Sequence, residues 1–131
     1  MIGLDTNVLV RYLAQDDRRQ AAKALQLIEK ECSEERPGFI TAIALAELVW
    51  VLESCYGSGK SAVVAVLQRI LRARQLVVQD AETVWKAVRL FETSKADFAD
   101  CLIGCIGARY ECEYTATCDK GAADAGMRLI D

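Results

Sequence analysis

"MIGLDTNVLVRYLA", residues 1–14, changes character at its fifth residue, and that change decides how the chain is read. Ile2 to Leu4 form a short apolar run of strand type. From Asp5 onward the pattern is that of a helix, and Asp5 or Thr6 is the residue type that caps its free N–H groups. A strand running straight into a capped helix is a corner of an α/β protein.

Downstream the same unit recurs. "DDRRQAAKALQLIEKECSEER" places Ala21, Ala24, Leu25 and Ile28 on one helical stripe, with Pro37 and Gly38 expected to end it. "FIT" is a second strand, and "TAIALAELVWVLESCY" a helix apolar almost all round, expected to be buried and stopped by Gly57. "SGKSAVVAVLQRILRAR" is a further helix and "LVVQ" a third strand. "DAETVWKAVRLFETS", capped by Asp80, and "ADFADCLIGCIGARY" are two more helices, followed by the strands "YTATC" and "RLI". Short apolar strands alternating with helices predict a parallel sheet covered on both faces.

The bulk properties agree. A chain of 131 residues, 53% hydrophobic and 27% charged with one proline, is expected to fold as a single domain, residues 1–131. Glu47 interrupts the longest apolar run, so no membrane span is expected, and "MIGLDTN" does not spell a signal peptide. A soluble cytoplasmic protein is the expectation. Cys32, Cys55, Cys101, Cys105, Cys112 and Cys118 include no C-x-x-C pair, and buried free thiols are expected rather than a zinc site or disulfides.

The formal net charge of −3 argues against a broad, nonspecific grip on a phosphate backbone. The absence of histidine removes imidazole acid–base pairs, Ser-His-Asp triads and His-ligated metals. "YGSGKSAVV", residues 56–64, resembles a phosphate-binding loop, but Ser54 stands where its first glycine belongs and a helix precedes it. Gly57 reads as a helix stop with Ser58 or Ser61 as the next cap, so no nucleoside triphosphate is expected at 57–61.

The remaining chemistry lies in carboxylates. Glu47 is the only ionisable residue between Thr41 and Leu52, and a carboxylate buried on that helix would need a cation. Asp5 follows the first strand and Asp119 the fourth, the edge where open α/β sheets bind ligands. Asp97 and Asp100, three residues apart, share a helix start, one suited to capping and the other to ligation. Two ionised carboxylates ~4 Å apart repel by about 4 kcal/mol at an effective dielectric of about 20. Convergence of Asp5, Glu47, Asp100 and Asp119 therefore predicts a hard dication, Mg²⁺ or Mn²⁺, among them.

In this order, "IGLDTNVLVRYL", "TAIALAELVWVLESCYG", "KADFADCLIG" and "TATCDKGAA" resemble the PIN-domain ribonucleases, in particular the VapC-type toxins of toxin–antitoxin pairs. The resemblance implies a three-layer α/β/α sandwich with a central, mostly parallel sheet and Mg²⁺- or Mn²⁺-dependent endonucleolytic cleavage of RNA. It assigns metal-binding or catalytic roles to Asp5, Glu47, Asp100 and Asp119, with Asp97 auxiliary. Thr6, Asn7 and Thr117 would orient ligands or water by hydrogen bonding, and Arg11, Lys95 and Lys120 would guide phosphates. Cys118 departs from the aromatic residue usual before the last Asp. A homodimer and a small antitoxin whose tail fills the acidic pocket are the implied partners; the helices carrying Trp50 and Ile70 could supply a dimer surface as readily as core, with core expected for most of their residues. Two rivals remain: a phosphatase-like or phospho-accepting domain using Asp5 as nucleophile, and a non-catalytic binding module of the same fold.

Overall fold

The structure, a computed structural model, describes residues 1–130. They form two compact units, one of residues Met1–Gln79 and one beginning at Asp80.

The first unit runs β1 (Ile2–Gly3), α1 (Thr6–Ala14), α2 (Arg18–Gln26), β2 (Gly38–Ile40), α3 (Ala42–Tyr56), α4 (Lys60–Arg72) and β3 (Leu76–Val78). Its strands pair in the order β1-β2-β3, all parallel, with Ile2 opposite Gly38 and Gly38 opposite Leu76. Asp5, Thr41 and Gln79 therefore leave the sheet on one edge, the C-terminal edge of the strands. Each has a local task there. The Asp5 carboxylate accepts from Thr6 N, the Thr41 hydroxyl from Ala44 N, and the Gln79 side-chain carbonyl from Ala42 N. Such bonds satisfy N–H groups that helix geometry leaves without partners.

Gly38 is dictated by packing. A β-carbon there would lie 2.7 Å from Leu4 Cδ1, 3.1 Å from Leu76 Cδ2 and 3.2 Å from Cys32 Sγ. Around the sheet Leu9, Ile28, Ile40, Leu45, Leu48, Val63 and Leu67 are almost wholly withdrawn from solvent. Each such burial stabilises by roughly 1.5–3 kcal/mol before conformational entropy is counted.

The second unit runs α5 (Ala81–Thr93), α6 (Phe98–Arg109), β4 (Ala116–Thr117), α7 (Lys120–Asp124) and β5 (Arg128–Leu129). β4 and β5 pair in parallel, Ala116 opposite Arg128. α5 and α6 pack together, and the rings of Phe91 and Phe98 meet edge to face at 5.9 Å. Parallel pairing in both units bears out the α/β reading.

Several expectations are corrected. α2 passes into a π-helical turn at Leu27–Glu31 and ends at Cys32, well before Pro37. α3 is not buried all round: Ile43 is 74% and Trp50 64% exposed, and Glu47 between them is exposed too. Ile70, by contrast, belongs to the core as expected for most residues of these helices. Gly57 does stop α3 in the left-handed conformation (φ 62), so residues 57–59 are a helix-to-helix turn, but Gly59 and not a serine starts α4. Asp80 precedes α5 with a left-handed φ of 49, makes no side-chain cap and pairs instead with Arg109 at 3.3 Å. Of the cysteines only Cys32 and Cys101 are buried; Cys105 is half-buried and Cys55, Cys112 and Cys118 are exposed. The short helix α7 has no counterpart in the sequence reading.

Candidate active site

In the first unit the acids gather where β1 turns into α1. Asp5 is both the first residue beyond the strand and the N-cap of α1, its Oδ1 accepting from Thr6 N at 2.8 Å. Thr6 is buried, and its hydroxyl donates to Glu47 Oε1 at 2.8 Å. One threonine thus ties the D-T-N corner to the second turn of α3. Glu47 is therefore no buried charge awaiting a cation: it faces solvent and is held by one hydrogen bond. Asn7 is exposed beside the same corner. Arg11, one turn further along α1, is engaged by Gln20 and by Asp16 at 3.4 Å.

In the second unit three acids answer to one another. Asp97 caps α6, its Oδ1 accepting from Asp100 N at 2.8 Å. Asp119 caps α7, accepting from Gly121 N and Ala122 N, while its own N–H donates to Thr117 Oγ1 at 3.1 Å. The Asp100 carboxyl is raised above its ordinary value. Partial burial is the largest cause, followed by the charge of Asp97 and hydrogen bonding with it, then the same from Asp119. Asp97, Asp100 and Asp119 are thus brought together, and the capping duties of two of them explain why they sit at helix starts. Lys95 lies at this edge as well, its backbone N–H donating to Asp124 Oδ2 at 2.9 Å and its carbonyl lying near Gly121. Lys120, the first residue of α7, is exposed.

Chemically, a carboxyl that resists ionisation first because it is partly buried and then because two carboxylates act on it marks a place of excess negative charge. Hard oxygen donors with that imbalance fit a divalent cation such as Mg²⁺ or Mn²⁺. Among the described residues no three acid or thiol side chains are drawn into a tight cage as they stand. The acids feel one another's charge without closing on a common centre.

Sequence reasoning did not single out Thr41 and Gln79, which fix the start of α3 and so the level at which Glu47 leaves it. The threonine after "FI" was a readable cap signal; the glutamine, 37 residues from the amide it accepts from, was not. Among the described residues no helix is long and apolar enough to cross a membrane.

No curated protein matches the chain. The model of the PIN domain family matches residues 2–126 and so runs through both units and all five acids. Its members are α/β proteins, in agreement with the parallel pairing seen here, and are in general metal-dependent nucleases acting on phosphodiester bonds. The chain belongs to the PIN domain family.

Proposed function

We propose that this protein is an endoribonuclease and the toxin of a toxin–antitoxin pair, working as one nuclease domain over residues 1–131. The observation that carries the reading is the Asp100 carboxyl, raised by burial and by the charges of Asp97 and Asp119. In the second unit Asp97, Asp100 and Asp119 would hold Mg²⁺ or Mn²⁺, and in the first unit Asp5 and Glu47 are the acids proposed for the same task. When bound, such an ion supplies Lewis acidity toward a phosphodiester oxygen and toward the attacking water.

The chain's own residues have separable tasks. Thr6 fixes the Glu47 carboxylate by hydrogen bonding. Asp97 and Thr117 hold the backbone from which Asp100 and Asp119 project. Asp100 takes up a proton more readily than an ordinary aspartate, through partial burial and the charges of Asp97 and Asp119. Lys95 and Lys120 would draw RNA phosphates toward these acids, and Arg11 would do so less, being shared with Asp16 and Gln20. Single-stranded or looped RNA is the fitting substrate, since its backbone bends to present one phosphate.

The partners in this reading are a second copy of the chain and an antitoxin. Large apolar side chains left exposed on α3, Ile43 and Trp50, support a protein-docking face.

Purified protein free of antitoxin is to be incubated with structured RNA, with Mn²⁺ or with a chelator. Cleavage is expected with Mn²⁺ only and is expected to vanish in Asp100→Asn. Mn²⁺ should also raise the thermal midpoint of the wild type more than that of Asp100→Asn. No cleavage under any condition would leave a non-catalytic binding module of the same fold.

A further inference from the structure

Apart from the acids, the second unit gathers thiols around one cavity. On α6, Cys101, Gly104, Cys105 and Ala108 follow the i, i+3, i+4, i+7 spacing and share a face. None is larger than a thiol, and the face leaves space that Leu90 and Met127 also line. A cavity of about 310 Å³ remains, room for a small organic molecule.

The chain then folds a further cysteine onto the rim. Glu111 takes the left-handed conformation (φ 64), and Cys112 N donates back to Gly107 O at 3.0 Å. Gly107 leaves room for this return: a β-carbon there would lie 2.7 Å from Thr115 Oγ1 and 3.9 Å from Cys112 Sγ. Cys101 is buried and Cys105 half-buried, whereas Cys112 is exposed. Cys112 is therefore the thiol a reagent meets first, and the cavity receives what the reagent carries.

The charged side chains lining the cavity, Asp100 and Glu113, are both acidic. Tyr114, also in the lining, carries the Arg128 guanidinium 3.7 Å from its ring centroid, a stacking arrangement that engages that cation. An ammonium group is thus favoured in the cavity and a carboxylate disfavoured.

We propose that Cys112 is a covalent modification site for a cationic aminothiol, delivered as its disulfide and seated in this cavity. The Cys112 thiolate attacks one sulfur of the disulfide. The reagent's S–S bond breaks, a new S–S bond joins Cys112 to one half, and the other half leaves as a thiolate that takes up the proton Cys112 lost. The disulfide is the only oxidant consumed. The retained ammonium is seated in a cavity whose lining includes Asp100 and Glu113. Cys55 and Cys118 are exposed as well but do not line the cavity, so they are internal controls.

The test reads adduct formation by mass and stands apart from the nuclease reading. Native protein is incubated with cystamine or with glutathione disulfide, quenched with acid at intervals, and mapped by peptide mass spectrometry. Cys112 should react with cystamine at least about fivefold faster than Cys55 and Cys118, because only there is the reagent held before exchange. With glutathione disulfide, whose halves are anionic, that lead should shrink. Ala108→Leu, which adds bulk to the cavity lining, should bring Cys112 to the rate of the controls with an unchanged circular dichroism spectrum. Equal rates at the three cysteines in the wild type with cystamine, or a lead as large with glutathione disulfide, overturn the proposal.

Discussion

Thr6 and Glu47, 41 positions apart, are joined by a 2.8 Å hydrogen bond from the threonine hydroxyl to the glutamate Oε1. The donor is buried while the acceptor faces water. Because Thr6 cannot turn away without leaving its hydroxyl buried and unpaired, it fixes the orientation of Glu47 rather than the reverse. Thr6→Val keeps the shape and removes the donor. Its cost in chemical denaturation should be about 1 kcal/mol, at the low end for a bond to a charged but exposed partner. In the proposed ribonuclease reaction kcat should change more than KM, falling in Thr6→Val and recovering in Thr6→Ser. Full activity in Thr6→Val would show that Glu47 needs no such restraint.

Asp100 makes a prediction with a definite sign. Its carboxyl is raised in the folded state, so folded protein binds this proton more tightly than unfolded protein does. The associated stability is fully present below the ordinary value of 3.8 and is lost as pH rises through the raised folded value. At neutral pH the wild type therefore carries the whole cost of burying this charge and of its repulsion by Asp97 and Asp119. Asp100→Asn should unfold at a higher temperature than the wild type at neutral pH in metal-free buffer, and the difference should fade below pH 3.8. A variant less stable than the wild type at neutral pH would mean that Asp100 makes contacts outweighing the repulsion.

These two relationships differ in how far they were legible in the sequence. Asp97 and Asp100 are three residues apart at a helix start, so their shared location follows from local geometry alone. The bond between Thr6 and Glu47 depends on where α3 packs against α1, which no local pattern reveals. Glu47 was misjudged as buried because Ile43 and Trp50 beside it are apolar. Apolar residues are common on protein surfaces, and residue type alone does not say which side of a helix faces the core. Asp80 failed differently: it has the composition of a cap, but its left-handed backbone turns the carboxylate toward Arg109. The thiol-lined cavity was invisible, since Cys112 joins α6 only through the turn at Glu111. Most strands and longer helices were legible because their apolar runs are short and interrupted by caps, glycines or polar residues, whereas the five-residue α7 and the π-helical end of α2 carry no such pattern.

Asp97 combines two effects that opposite substitutions separate. Its side chain caps α6 through Asp100 N, and its charge raises the Asp100 carboxyl. Asp97→Ala removes both. Losing the cap costs about 1 kcal/mol, and relief of repulsion offsets part of that. Asp97→Ser keeps an acceptor for the cap and removes the charge, so it should be at least as stable as the wild type at neutral pH. Thermal midpoints of the two variants, measured side by side without metal, should place Ser above Ala. The reverse order would deny the cap its role at this position.

The two faces of α3 supply the last prediction. Leu48 is fully buried, whereas Trp50, two residues on, is 64% exposed despite its size. Truncating Leu48 removes packed methyl groups and leaves a void that the surrounding side chains only partly fill, so Leu48→Ala should cost about 2–5 kcal/mol. Trp50→Ala gives up little buried area and gains helix propensity, and its cost in dilute monomeric protein should stay within about 1 kcal/mol. Urea denaturation at low protein concentration isolates the chain's own stability from any docking on this face. Repeating it at high concentration adds a second reading. If α3 docks a second copy, the wild type should gain stability with concentration and Trp50→Ala should not, because only association makes unfolding depend on protein concentration. A Trp50→Ala cost as large as that of Leu48→Ala at low concentration would place Trp50 within the core after all.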